Sequence, residues 1–414
     1  MRMKLNKSSQ LLLVSAVSLL GAGLVSACGT LTTDFVYVTS AKAAGTNNYG
    51  EIDVFEINAV SGFMRQIPTS PFPSGGRNPV AEAVSTDYNN LYVVNHDDNT
   101  IVQFSIGPDG KLYAQYTVNT PGIFPMAVAV NGSNLFVLDT YQPLANCSNA
   151  EPCSGAVGVF PILAASGTGS NATPGGGLGD PVTNPATGAN YWPLSLPGSP
   201  NDVIVPTGID VVESGALAYV SAYDSTSSTG YVFGFSVASG ALTPLKAGAP
   251  LAAITHPSAI TSDSSSGYVY VTDSTVNKLF SYAVKSDGSL SQLAGSPIAT
   301  GNQPSAIVAD SKYPYLYVTN ALDGTVSGYS IGSSGVLSSF GTYPTGIQPV
   351  AIGIDPSTDH FLFTVNFLAN GASGTISDFE IDPTAGALVN AQRSPYTTAA
   401  LPTAVAAVPH KTTQ

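Results

Sequence analysis

Residues 304–342 read PSAIVADSKYPYLYVTNALDGTVSGYSIGSSGVLSSFGT. A proline opens a short apolar segment, a turn follows, and Tyr315-Leu-Tyr-Val-Thr-Asn320 runs into a second turn at Asp323-Gly324. Thr325 to Ile331 alternates, and Ser334-Gly335 turns the chain into Val336-Leu-Ser-Ser-Phe340. Alternation with period two between Asp-Gly and Ser-Gly turns predicts four short antiparallel strands joined by tight hairpins.

The second of these strands recurs seven times along the chain. Its aromatic residue is Tyr37, Tyr92, Phe136, Tyr219, Tyr270, Tyr317 and Phe363 in turn, at spacings of 55, 44, 83, 51, 47 and 46 residues. The shorter spacings fit a repeat the size of a propeller blade, and the longer ones mark insertions. Four-stranded units repeated around an axis make a propeller, which leaves no long free sheet edge. The predicted fold is therefore all-β, a seven-bladed β-propeller. The first unit starts at its second strand, Phe35, and the missing first strand is found at the other end of the chain. Pro402-Thr-Ala-Val-Ala-Ala-Val408 matches Pro304-Ser-Ala-Ile-Val-Ala309 and Pro349-Val-Ala-Ile-Gly-Ile354, so the C-terminal strand is expected to close blade one.

The N-terminus carries Arg2, Lys4 and Lys7, an uncharged run from Leu11 to Leu24, and Val25-Ser-Ala-Cys28. A basic region, a short apolar region and small residues before a cysteine predict an export signal over residues 1–27, too short to span a bilayer as a helix. Val-Ser-Ala-Cys resembles a lipobox, which implies lipidation of Cys28 and, with Gly29 following, attachment to the cell envelope at the outer membrane or at the outside of a single-membrane cell. A lipidated tether is expected over 28–34, the propeller over 35–410 with an insertion at 139–206 in blade three, and a tail at 411–414.

Without residues 1–27 the chain has 10 Lys and Arg against 26 Asp and Glu, a formal charge of −16. Such a balance excludes nucleic acid as a partner. Cys147 and Cys153 lie in one loop of an exported chain and are expected to pair as a disulfide. No haem motif is present, and no cofactor is expected. A monomer is expected.

The Tyr-Val-Thr-Asn strand followed by Gly-Thr-Val resembles the YVTN β-propeller repeats. The stretch from 35 to 408 is similar to the seven-bladed lactonase-type propellers that include bacterial 6-phosphogluconolactonase. The resemblance implies lactone hydrolysis as one activity. The blade starts depart from that family's basic and histidine-bearing pattern: Pro257, Pro304 and Pro349 are followed by Ser258-Ala259, Ser305-Ala306 and Val350-Ala351.

Propellers work at the face where the second-to-third-strand hairpins and the interblade connections gather. There the sequence places Arg77, His96 and His256, a cation and two proton carriers that could polarise a carbonyl and move a proton. Arg77 and His96 form the expected working pair, because His256 enters from blade five. Asp97, Asp98, Asp139, Asp224, Asp273 and Asp323 fall in similar hairpins and could hold calcium, although Asp is equally suited to hairpin turns. Gly328-Tyr-Ser330-Ile-Gly332 matches a nucleophile elbow, but Ser330 occupies an ordinary third-strand position of the repeat. The leading expectation is a lipid-anchored module that binds a protein or glycan, and the alternative is a lactone hydrolase.

Overall fold

The computed structural model describes residues 32–44, 47–167, 174–369 and 373–410. The expected signal peptide and Cys28 lie outside them. Seven antiparallel sheets form the seven blades. Their inner strands are Pro402–Pro409, Pro79–Val84, Ile123–Asn131, Ile204–Val211, Pro257–Ser262, Pro304–Ala309 and Pro349–Ile354. Each packs against the next around a closed circle. Blade one is completed by both ends of the chain: Thr32–Ala44 pairs with Pro402–Pro409 from Asp34 opposite Pro409 to Ser40 opposite Pro402.

The second strands, such as Leu91-Tyr-Val-Val94 and Leu316-Tyr-Val318, are buried along their whole length. Each blade is covered by a neighbour on both faces, which is why these strands read as continuous apolar runs and not as alternating ones. Outer strands alternate or are exposed, as in Leu337–Pro344.

One contact recurs between blades. The phenolic hydroxyl of the second strand donates to the carbonyl of a glycine in the next blade: Tyr37 to Gly110 (3.1 Å), Tyr92 to Gly176 (2.8 Å), Tyr219 to Gly288 (2.9 Å), Tyr270 to Gly335 (3.2 Å) and Tyr317 to Gly386 (2.9 Å). These glycines have φ between +69° and +96°, and in four of the five the glycine sits in the next blade's third-to-fourth-strand turn. A Cβ on Gly335 would lie 2.2 Å from the ring of Tyr268, so the position needs glycine for close approach as well as for its backbone.

The stretch 139–206 is not one loop. Ala156–Pro161, the third strand of blade three, divides it into a 142–155 loop at one end of the blade and a 162–191 segment at the other. The first contains the Cys147–Cys153 disulfide, with Cα atoms 5.4 Å apart. The second supplies Gly176 to Tyr92 and ends in Trp192, which is core, not surface.

Deleting Thr403–Gln414 removes the inner strand of blade one and leaves the inner edge of Thr32–Ala44 unpaired. The expected result is loss of a single cooperative thermal transition, followed by circular dichroism. An unchanged melting curve would contradict closure by the C-terminal strand.

Candidate active site on the connection face

A second repeated device shapes the face where blades connect. The residue before the inner-strand proline has φ near +55° in five blades: Leu401, Asn78, Phe124, Gln303 and Gln348. Residues before proline are ordinarily extended, so the geometry must be held from outside. In blades one, two, six and seven the carbonyl of this residue accepts the N–H at the tip of the second strand, from Ala41, His96, Ala321 and Phe367. His256, with Ser274 N–H as donor, occupies the same place in blade five. The result is a rim of paired positions around the channel mouth.

The last residue of the Tyr-Val-Thr-Asn phrase fixes the connections to this rim. Asp139 accepts Gly122 N–H (2.9 Å), Asp273 accepts Thr255 and His256 N–H (2.8 and 2.9 Å), and Asn320 accepts Gly301 N–H (2.9 Å). Asp224 caps Thr226 and Ser227, and Asp323 holds Asn302. The carboxylates considered for calcium are thus spent on their own loops. Among the described residues no group of three or more His, Cys, Asp or Glu is placed to hold a metal ion.

Arg77 and His96 come together around the acidic pair of the blade-two hairpin. Arg77 Nε donates to Asp98 Oδ1 (2.6 Å) and its backbone N–H to Asp98 Oδ2 (2.8 Å). His96 Nδ1 lies 2.7 Å from Asp97 Oδ1, and its ring stacks on Phe124 of blade three at 4.7 Å and 7°. Against a burial penalty, the Asn78 amide, the His96 ring and Arg77 hold the Asp97 carboxyl below its ordinary range. The ionised carboxylate fixes Nδ1 as the protonated nitrogen and leaves Nε2 as the base. Phe124 is itself held by Asn99, whose side chain accepts its N–H (2.7 Å), and by Thr140, which donates to its carbonyl (2.7 Å). Sequence reasoning missed Phe124; the signal was its place before the blade-opening Pro125. His256 belongs to a separate cluster, with its ring 4.4 Å from Tyr223 and Nδ1 3.4 Å from Ser274 Oγ.

With this geometry in view, known proteins add the following. Residues 293–406 match the family model described as lactonase, 7-bladed beta-propeller. The match covers about a quarter of the chain, and what the whole chain shares with these proteins is the seven-bladed propeller fold. Similar structures include a 6-phosphogluconolactonase candidate from Bacteroides fragilis, 18% identical, with a TM-score of 0.65, covering 92% of this chain and 99% of its own. Another is a periplasmic gluconolactonase from Pseudomonas aeruginosa, 17% identical, with a TM-score of 0.60, covering 91% and 99%. No curated protein is significantly similar in sequence.

A different acidic group in this propeller serves the ring itself. Glu82, on the inner strand of blade two, occupies a position that is Val or Ile in the other six blades. Thr39 of blade one donates to its Oε2, and Oε1 is buried without a partner. Burial pushes its carboxyl up to about 8, against the Thr39 hydroxyl and Ala406 N–H, which favour the charged form. A carboxyl with a raised folded pKa binds its proton more tightly when folded, so its contribution is full below about 4.5 and is lost as the pH rises towards 8. Glu82→Gln is expected to match the parent in Tm at pH 4.5 and to exceed it by about 2–4 °C at pH 8.5 in differential scanning calorimetry. A Tm difference independent of pH would contradict this.

Proposed function

We propose that this chain is an exported hydrolase of neutral, sugar-type lactones, held at the envelope by a lipid on Cys28. The observation that carries the reading is the Asp97–His96 pair with Arg77 beside it on the connection face. In the proposed reaction His96 Nε2 takes a proton from water as the oxygen attacks the lactone carbonyl, and Arg77 stabilises the resulting oxyanion. The ring C–O bond then breaks, and the imidazolium returns the proton to the departing alkoxide. The match to the lactonase family model supports this activity, and the likeness to a periplasmic gluconolactonase supports an exported one.

Charge argues for a neutral lactone over a phosphorylated one. Outside the signal only three arginines remain, and two of them are engaged elsewhere: Arg65 is paired with Glu56, and Arg393 lies over the ring of Phe63 at 5.1 Å. This leaves Arg77, its charge partly balanced by Asp98, as the one arginine beside His96 and no second cation of that type for a phosphate dianion. A net charge of −16 repels such a substrate further. The expected module for a protein or glycan partner stays as a second reading. The disulfide-braced 142–155 loop favours it, because it stands on the same face as the blade-two hairpin and widens it.

Tethering at Cys28 agrees with the site's direction. Thr32 begins the second strand of blade one at the end opposite the connection face, and four residues of chain reach at most about 14 Å. The site therefore faces away from the bilayer in this reading.

The test is hydrolysis of a panel of neutral aldonolactones and their 6-phospho forms by the purified protein. Neutral lactones are expected to turn over, with kcat/KM reduced at least about 100-fold in His96→Ala and in Arg77→Ala and unchanged within about twofold in His256→Ala. Absence of turnover, with specific capture of an envelope glycan or protein, would replace the hydrolase reading with the binding one. Cys28→Ser should leave the membrane fraction; a lipidated, membrane-bound variant would contradict the anchor.

A further inference from the structure

Blades diverge outwards, so the wedge between two neighbours must be filled by large side chains or left open. Between blades three and four it is filled at its base by Trp192, Phe233 and Phe235 and left open above them. The outer strand of blade three is reduced to Trp192–Pro193, whereas in blades two and six it has eight residues. Opposite it, the outer edge of blade four is interrupted. Ala241–Pro244 pairs with residues 235–238 and Ala252–Ile254 with residues 230–232, and the ladder skips Phe233 and Gly234. The segment between bows outwards through two consecutive non-glycine residues in the left-handed region, Lys246 (φ 46°) and Ala247 (φ 53°). Such backbone costs about 1–3 kcal/mol per residue and persists only where the surroundings enforce it.

The resulting cleft has a volume of about 380 Å³. Its floor is Trp192, Leu194, Phe233, Phe235 and Leu242, and no charged side chain lines it. Protein interiors leave few voids larger than a water molecule, and a cleft of this size and lining matches a small-molecule site more than a packing defect. Asn184 at its edge is buried and spent on shaping the wall, accepting Ala186 N–H and donating to the Tyr191 carbonyl. The hydroxyls of Ser195 and Thr243 line the cleft and can orient a guest, and that of Thr187, which accepts Ala189 N–H, keeps its own hydrogen to donate.

We propose that this cleft binds one small, neutral, predominantly apolar ring molecule, of the size of a naphthalene derivative. An uncharged guest follows from the lining, since a buried ion would find no counter-charge there. The site is separate from Arg77 and His96, which lie on the connection face of blade two, and it does not rest on the hydrolase reading.

Trp192 is the sole tryptophan, so the cleft carries its own reporter. N-phenyl-1-naphthylamine, neutral and fluorescent, should quench Trp192 and gain emission by energy transfer in a saturable, one-to-one titration of the exported, full-length protein. Its sulfonated relative 1-anilinonaphthalene-8-sulfonate should bind at least tenfold more weakly. Ala249→Phe and Thr243→Phe, each at the lip, should weaken the neutral probe at least tenfold while leaving the far-ultraviolet circular dichroism unchanged. Non-saturable quenching, or unchanged binding in whichever of the two variants folds, would overturn the site. Equal affinity for the sulfonate would overturn the neutral assignment.

Discussion

The hydrogen bond from a second-strand tyrosine to a glycine carbonyl in the following blade is the contact on which the ring depends. It joins blades one to two, two to three, four to five, five to six and six to seven. Both partners are buried, so a lost hydroxyl leaves a carbonyl unsatisfied at a cost of about 1–3 kcal/mol. The glycine must have positive φ to turn the hairpin and must lack a Cβ to admit the neighbouring ring. Strand, turn and interblade packing are thereby specified together. At the two places where the ring residue is phenylalanine, Phe136 and Phe363, this hydrogen bond is absent, and the seam is crossed by apolar packing and by other polar contacts: Asn131 Nδ2 donates to the Val212 carbonyl between blades three and four, and Met64 N–H donates to the Tyr396 hydroxyl between blades one and seven. Blade one compensates at its own seam by interleaving both ends of the chain.

A frame pinned on one face by tyrosines leaves the other face free to vary. There the second strand's terminal Asn or Asp holds the incoming connection, and the rim positions carry whatever side chains the loops supply. Blade two supplies a histidine, two aspartates and an arginine; blade five supplies a histidine set against Tyr223 instead. The same fold therefore offers a proton-transfer site at one rim position and an aromatic contact at another. Buried carboxyls such as Glu82, Asp139 and Asp210, pushed up to about 8, 7 and 6 by desolvation, bias the ring towards mildly acid conditions.

Much of the fold was legible because the repeat is written in adjacent residues: Leu316-Tyr-Val-Thr-Asn320, its turns and the displaced Pro402–Val408 strand all lie within short windows. The disulfide was legible for the same reason. The tyrosine's partner was not, since Tyr317 and Gly386 are 69 residues apart and nothing in either window names the other. For the site, Arg77 and His96 could be placed on one face, but the loop aspartates were open to calcium or to turn chemistry. Only the geometry shows Asp97 orienting the histidine and Asp139 and Asp273 pinning backbone. Nor could the 139–206 stretch be divided between two ends of a blade, because Ala156–Pro161 is a short strand flanked by irregular sequence.

The central claim, that tyrosine–glycine contacts make the seven blades one cooperative body, is tested most directly by Tyr317→Phe unfolded in urea and followed by two probes at once. Trp192 fluorescence reports blade three, about half a ring away from the substitution, and circular dichroism reports all strands. The account predicts one transition, coincident in both probes and shifted to lower urea by the loss of about 1–3 kcal/mol. A midpoint unchanged in both probes, or a fluorescence transition left at its parental position while circular dichroism shifts, would contradict it.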